Sequence, residues 1–241
     1  MTAFGLNERQ QGDLAWMDRE FVLTGCSFVS ADTEVPAIRG FVRSPFNPLI
    51  HYSVMNAVKA SDVLGCDVPT TQRGIVLGSQ FVDAVTDEVT STELLLKQRV
   101  SPIMFPQSVP SAIIGYVAKE LEIHGPMSCI GATRLGTYSV LLQAADWLEE
   151  QSAAFVVVVL CDVPSRKAEQ WILDHMDTHG RNIAFGGGSV CVIMEKQETA
   201  IRRNQPGMSI QSFYDVMNPS SQSSFHGMAG GFESEAIYAH P

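Results

Sequence analysis

Phe155-Val156-Val157-Val158-Val159-Leu160 is an unbroken apolar run built mostly of β-branched residues, with no side chain suited to water. A strand of that composition is covered on both faces, which calls for helices above and below a sheet. The wider apolar stretch, Ala153 to Cys161, falls far short of the roughly 20 residues that cross a bilayer, so it reads as a buried strand. Around it, strand and helix patterns alternate, the signature of an α/β layer structure.

Five helices are expected around that strand. Tyr52 to Val63 presents Val54, Ala57, Val58 and Leu64 to the sheet and ends at Gly65. Asp83 to Gln98 packs one face and solvates the other. Val109 to Leu121 and Gly136 to Glu149 follow, the latter with Tyr138, Leu141, Leu142, Ala145 and Leu148 at helical spacing. Arg166 to Asp177 is a further amphipathic helix with Trp171, Ile172 and His175. Asn7 to Met17 reads as a short helix and Met208 to Tyr214 as one more strand. From Asn218 onward the chain is Ser-, Gly- and Pro-rich and reads as a tail. The expected organisation is an extension over 1–20, one domain over 21–215 and a flexible tail over 216–241.

The 241 residues carry 16 basic and 26 acidic side chains, a formal net charge of -10. That balance argues against nucleic acid and anionic membrane surfaces, both of which need a concentrated positive face. Cys26, Cys66, Cys129, Cys161 and Cys191 form an odd set without a Cys-x-x-Cys pair. They read as reduced thiols, each a small core residue in or near an apolar strand. Met1 to Asp18 lacks the apolar centre of a secretory signal, so the expected compartment is the cytoplasm. His175 and His179 lack a third ligand at a known spacing, so no metal is expected. Gly186-Gly187-Gly188 leads into a strand rather than a helix, which fits a tight turn better than a phosphate cradle. No cofactor is expected.

Several segments, taken in order, carry a resemblance: Phe21 to Ser30, with an apolar run entering a Thr24-Gly25 turn; Arg73 to Ser79; Ser101-Pro102; Phe105 to Ser111; the apolar stretch Ala112 to Ala118; Gly125-Pro126; Ala132 to Leu148; and Phe185 to Glu195. Their order resembles the opening half of β-ketoacyl synthases. The resemblance implies a thiolase-like α/β fold, N-terminal half only, with a mixed β-sheet layered with α-helices. A complete synthase is pseudo-duplicated, and from the composition after Glu195 a second half is not expected in this sequence.

Synthases of this family carry a cysteine nucleophile at the start of a buried helix, with two histidines from the second half that assist decarboxylation of the extender. Here alignment from Gly125-Pro126 puts Arg134 at that position, and aligning Gly136-Thr137 puts Thr133 there. Neither is a cysteine. Cys129 lies just upstream, in the strand leading to the turn, where a buried thiol packs like a small apolar side chain. His226-Gly227-Met228 echoes a catalytic His-Gly motif but follows Glu195 too soon and sits in the tail.

The resemblance therefore points to a short chain length factor, the catalytically silent relative that pairs with a full-length ketosynthase in type II polyketide and polyene synthesis. It implies a heterodimer in which Phe105, Gln107, Val109, Ser111, Ala112, Ile113, Ile114 and Tyr116, with Thr133 and Arg134, face the partner and the acyl tunnel. Phe105, Ile113, Ile114 and Tyr116 would set the tunnel floor. An acyl carrier protein would be met through the ketosynthase. The alternatives are an active acyltransferase or condensing enzyme using Cys129, and a purely structural stabiliser of the ketosynthase.

Overall fold

The computed structural model describes residues 8–39, 45–96, 99, 102, 104–131, 136–163, 165, 166, 170 and 187–217. Its centre is a five-stranded mixed sheet of β1 (Phe21–Ser30), β2 (Arg73–Gly78), β3 (Met127–Ile130), β4 (Phe155–Asp162) and β5 (Gly188–Lys196), in the order β1-β5-β4-β2-β3. Strands β2, β3 and β4 run parallel, and β5 pairs antiparallel with both β4 and β1.

Side chains alternate across this sheet with the strand period of two. Ile75, Leu77, Val157, Val159 and Ile193 enter a core beneath α2 (Phe46–Ser61) and α5 (Pro110–Glu120). Val76, Val156, Val158, Val192 and Met194 enter a second core beneath α1 (Glu8–Glu20), α6 (Gly136–Glu149) and α8 (Ile210–Met217). The expected helix–sheet–helix layering and the doubly covered β4 are both present. Further helices are α3 (Ala84–Leu95), α4 (Met104–Ser108) and α7 (Gln197–Arg202).

Several local expectations are corrected. Helix α2 starts at Phe46, before Tyr52, because Pro48 falls in the first turn, where the missing N–H has no intrahelical partner to lose. It ends at Asp62, which takes the left-handed cap conformation at φ 51°, and not at Gly65. Thr24-Gly25 is no turn: β1 continues through it with a bulge. Gly25 has φ +62°, and a Cβ there would lie 2.3 Å from the Ala57 carbonyl oxygen, so the glycine lets α2 press onto β1. Met208 exchanges two backbone hydrogen bonds with Leu23, at 3.0 and 2.8 Å, but the chain then turns into α8 rather than a strand. Residues 8–20 form α1, whose Leu14 and Met17 are fully buried in the second core. Of the helix expected at Arg166 to Asp177, most lies outside the described residues, as do His175, His179, His226 and the tail from Asn218.

The cysteines divide. Cys161 and Cys191 are buried, Cys26 and Cys66 are half-buried, and Cys129 is exposed. The expectation of five core thiols holds for two of them. Cys129 does sit in the strand before the turn, but β3 is an edge strand with alternate exposed residues, so its thiol meets solvent.

Candidate functional site at the carboxyl ends of the parallel strands

One register row crosses the whole sheet at this end. Phe28 pairs with Val190, Val190 with Leu160, Leu160 with Gly78, and Gly78 with Ile130. Gly78 has no side chain for a packing reason: a Cβ would stand 2.4 Å from Val140 Cγ2 of α6 and 2.8 Å from Leu160 Cδ2. The first turns of α6 thereby rest on β2, and the link from Ile130 to Gly136 lies where β3 hands over to the helix. Thr133 and Arg134 belong to that link and lie outside the described residues, as does the side chain of Phe105.

A hydrogen-bonded loop borders the link. Asp162, at the end of β4, accepts on Oδ1 from the Ser79 hydroxyl at 2.8 Å, the Gln80 N–H at 2.8 Å and the Phe81 N–H at 2.7 Å. Ser79 Oγ accepts from the Val82 N–H at 2.8 Å, and the Ser79 N–H donates to the Ile130 carbonyl at 3.2 Å. Burial pushes the Asp162 carboxyl above its ordinary value, against the pull of these donors. Val82 has φ +55°, a strained conformation for a β-branched residue, and it delivers Asp83 to cap α3 by accepting from the Thr86 N–H. Sequence reasoning missed this knot; an acidic residue closing an apolar strand, opposite Ser79, was the available signal.

Among the described residues at this end, the ionisable groups include thiols and the Asp162 carboxyl. Cys129 stands two residues before the link, and partial desolvation moves its thiol above the ordinary value, the direction opposite to that of an activated thiolate. Cys161 and Cys191 are pushed up further by full burial. The described histidines are elsewhere: His51 Nε2 bonds Glu120 Oε2 at 2.8 Å between α2 and α5, and His124 is exposed. Among the described residues no cluster of His, Cys, Asp and Glu is composed to hold a metal ion, and no helix is long and apolar enough to cross a membrane.

The α4–α5 segment is held against α2. Asn47 Nδ2 donates to the Gln107 carbonyl at 3.0 Å, and the His51 and Tyr116 rings meet edge-on at 5.8 Å. Ile113 and Ile114 point inward and are buried in the first core. Val109 and Ser111 are exposed, while Ala112, Gln107 and Tyr116 are half-buried. Of the residues expected along a tunnel, this helix presents Val109, Ser111 and the flanks of Ala112 and Tyr116 outward, and keeps the two isoleucines for its own packing.

Three solved structures share this architecture. The ishigamide ketosynthase/chain length factor superposes with a TM-score of 0.60 at 17% identity, over 78% of this chain and 64% of that one. The chain has a ketosynthase-type fold. AntDE:AntF, a type II PKS acyl-carrier protein in complex with its ketosynthase bound to the hexaketide, gives 0.57 at 13% identity over 78% and 65%. The ketosynthase ApeO in complex with its chain length factor ApeC, from Xenorhabdus doucetiae, gives 0.52 at 14% identity over 73% and 79%. This chain thus spans less than two thirds of the length of the first two. No family model matches the sequence, and no curated protein does.

Proposed function

We propose that this chain is a chain length factor: a catalytically silent partner that joins a full-length ketosynthase and completes the tunnel in which an acyl chain, delivered on a carrier protein, is extended. The observation that carries the reading is the link from β3 to α6. In a ketosynthase-type fold it is the place for a nucleophile, and here it reads Gly131-Ala132-Thr133-Arg134-Leu135. Threonine without an adjacent base is a poor nucleophile and arginine is none.

Two further features support a partner. Among the described residues, strand β3 has a neighbour on one side only, with Met127 and Cys129 exposed, and a sheet edge of this kind is a template for another chain. The exposed side of α5, with Val109 and Ser111, supplies a wall whose bulk would set how far an acyl chain extends. The action is steric: the partner provides the thiol and imidazole chemistry, and this chain provides the boundary.

The test is reconstitution with the ketosynthase, carrier protein and extender, followed by mass spectrometry of the products. Val109→Trp and Ser111→Trp shorten the product, and Cys129→Ala leaves turnover unchanged. The exposure of Cys129 favours one competing reading, an acyltransferase using that thiol; loss of turnover in Cys129→Ala would establish it and overturn the silent-partner account.

A further inference from the structure

Helix α3 is oriented against its own composition. Its buried positions are Thr86 and Thr90, whereas Val89 is 41% exposed and Leu94, Leu95 and Leu96 are 62%, 81% and 62% exposed. A surface helix ordinarily turns its apolar stripe inward. The stripe Thr86–Thr90–Leu94 starts buried and ends exposed, so the last turn carries three consecutive leucines out over solvent. Beside it runs a groove of about 440 Å3 lined by Val85, Val89, Thr92, Ser165 and Arg166, together with Glu88 and Glu93. A contiguous exposed apolar face marks an interaction site.

We propose that Val89, Leu94, Leu95 and Leu96 form a docking surface for the same ketosynthase subunit, extending the contact made by α5; this rests on the function proposed above. Two observations choose that occupant. First, α3 packs against α4, which leads directly into α5, so the two exposed faces flank one short element and a single partner can span both. Second, α3 also carries Asp87, Glu88 and Glu93 on a chain of net charge -10. A second copy docking through the same face would bring these carboxylates together across a two-fold axis, which like charges oppose.

The full-length chain is titrated against the ketosynthase as wild type, Leu94→Glu/Leu95→Glu and Val109→Glu, with thermal melts of each variant alone. The leucines are exposed, so the double variant melts like wild type. Its affinity for the ketosynthase falls by about tenfold or more, as expected when buried apolar contacts are replaced by charges. Hydrogen exchange at residues 84–96 slows in the wild-type complex. If Val109→Glu weakens binding while the leucine variant binds normally and exchange at 84–96 is unchanged, the docking surface is refuted and the function stands. If the leucine variant only disperses self-associated chain and leaves the complex intact, the face belongs to a second copy and the inference is overturned. If wild type shows no binding to the ketosynthase, the function proposed above falls, and this inference with it.

Discussion

The Arg203 guanidinium donates to Glu195 Oε1 at 2.5 Å, and the same oxygen accepts the Thr24 hydroxyl at 2.5 Å. The last carboxylate of β5 is thereby tied to β1 on one side and to the end of α7 on the other. Arg203 also donates to the Ser61 carbonyl at 3.1 Å and to Cys66 Sγ at 3.3 Å, which fastens the carboxyl end of α2 to the same point. Glu195 is 1% exposed, so its carboxylate meets these donors in place of water. Arg203→Met is expected to cost about 3–5 kcal/mol, because it strands a buried charge. The double variant Arg203→Met/Glu195→Met recovers part of that loss in urea unfolding; equal losses would place the effect in packing instead.

The knot at Asp162 carries a pH signature. Burial raises its folded-state pKa above the ordinary 3.8. A raised carboxyl pKa means the folded state binds the proton more tightly than the unfolded one, so the contribution is full below 3.8 and is lost as pH climbs through the folded value. Asp162→Asn keeps an acceptor oxygen for the three donors and carries no charge. Urea midpoints measured between about pH 4 and 7 therefore move in favour of the variant as pH rises. A constant difference would show that Asp162 does not titrate in that range.

Gly25 tolerates no side chain. At φ +62°, with the Ala57 carbonyl 2.3 Å from where a Cβ would stand, Gly25→Ala must push α2 off β1. A loss of about 3 kcal/mol is expected from the combined backbone and steric strain. Gly115→Ala, on exposed α5 with nothing near its Cβ, stabilises the helix slightly. Denaturant midpoints of the two variants check this contrast.

The two isoleucines of α5 are core residues. Ile114→Ala is expected to lower stability by about 2–5 kcal/mol through the cavity it leaves, whereas Val109→Ala changes stability little. A change in product length from Val109 or Ser111 variants is therefore free of folding effects, and one from Ile114 variants must be read beside a melting curve.

The layering was legible because β4 is covered on both faces and so shows an uninterrupted β-branched run, and because α6 repeats its apolar residues at helical spacing. The bounds of α2 were not, since Pro48 looks like an interruption until its place in the first turn is known. Cys129 was misjudged for a related reason. Met127-Ser128-Cys129-Ile130 has the composition of an inner strand, and nothing local tells that it stands at the edge of the sheet formed by the described residues. The Asp162 knot and the inverted face of α3 are tertiary facts: each depends on which loop or helix arrives beside it.

The central claim is partnership, and the most direct measurement is co-expression with a full-length ketosynthase, followed by size-exclusion chromatography with mass detection. The account predicts a stable one-to-one complex, with the chain alone self-associated or poorly soluble. A well-behaved monomer that ignores the ketosynthase would contradict it.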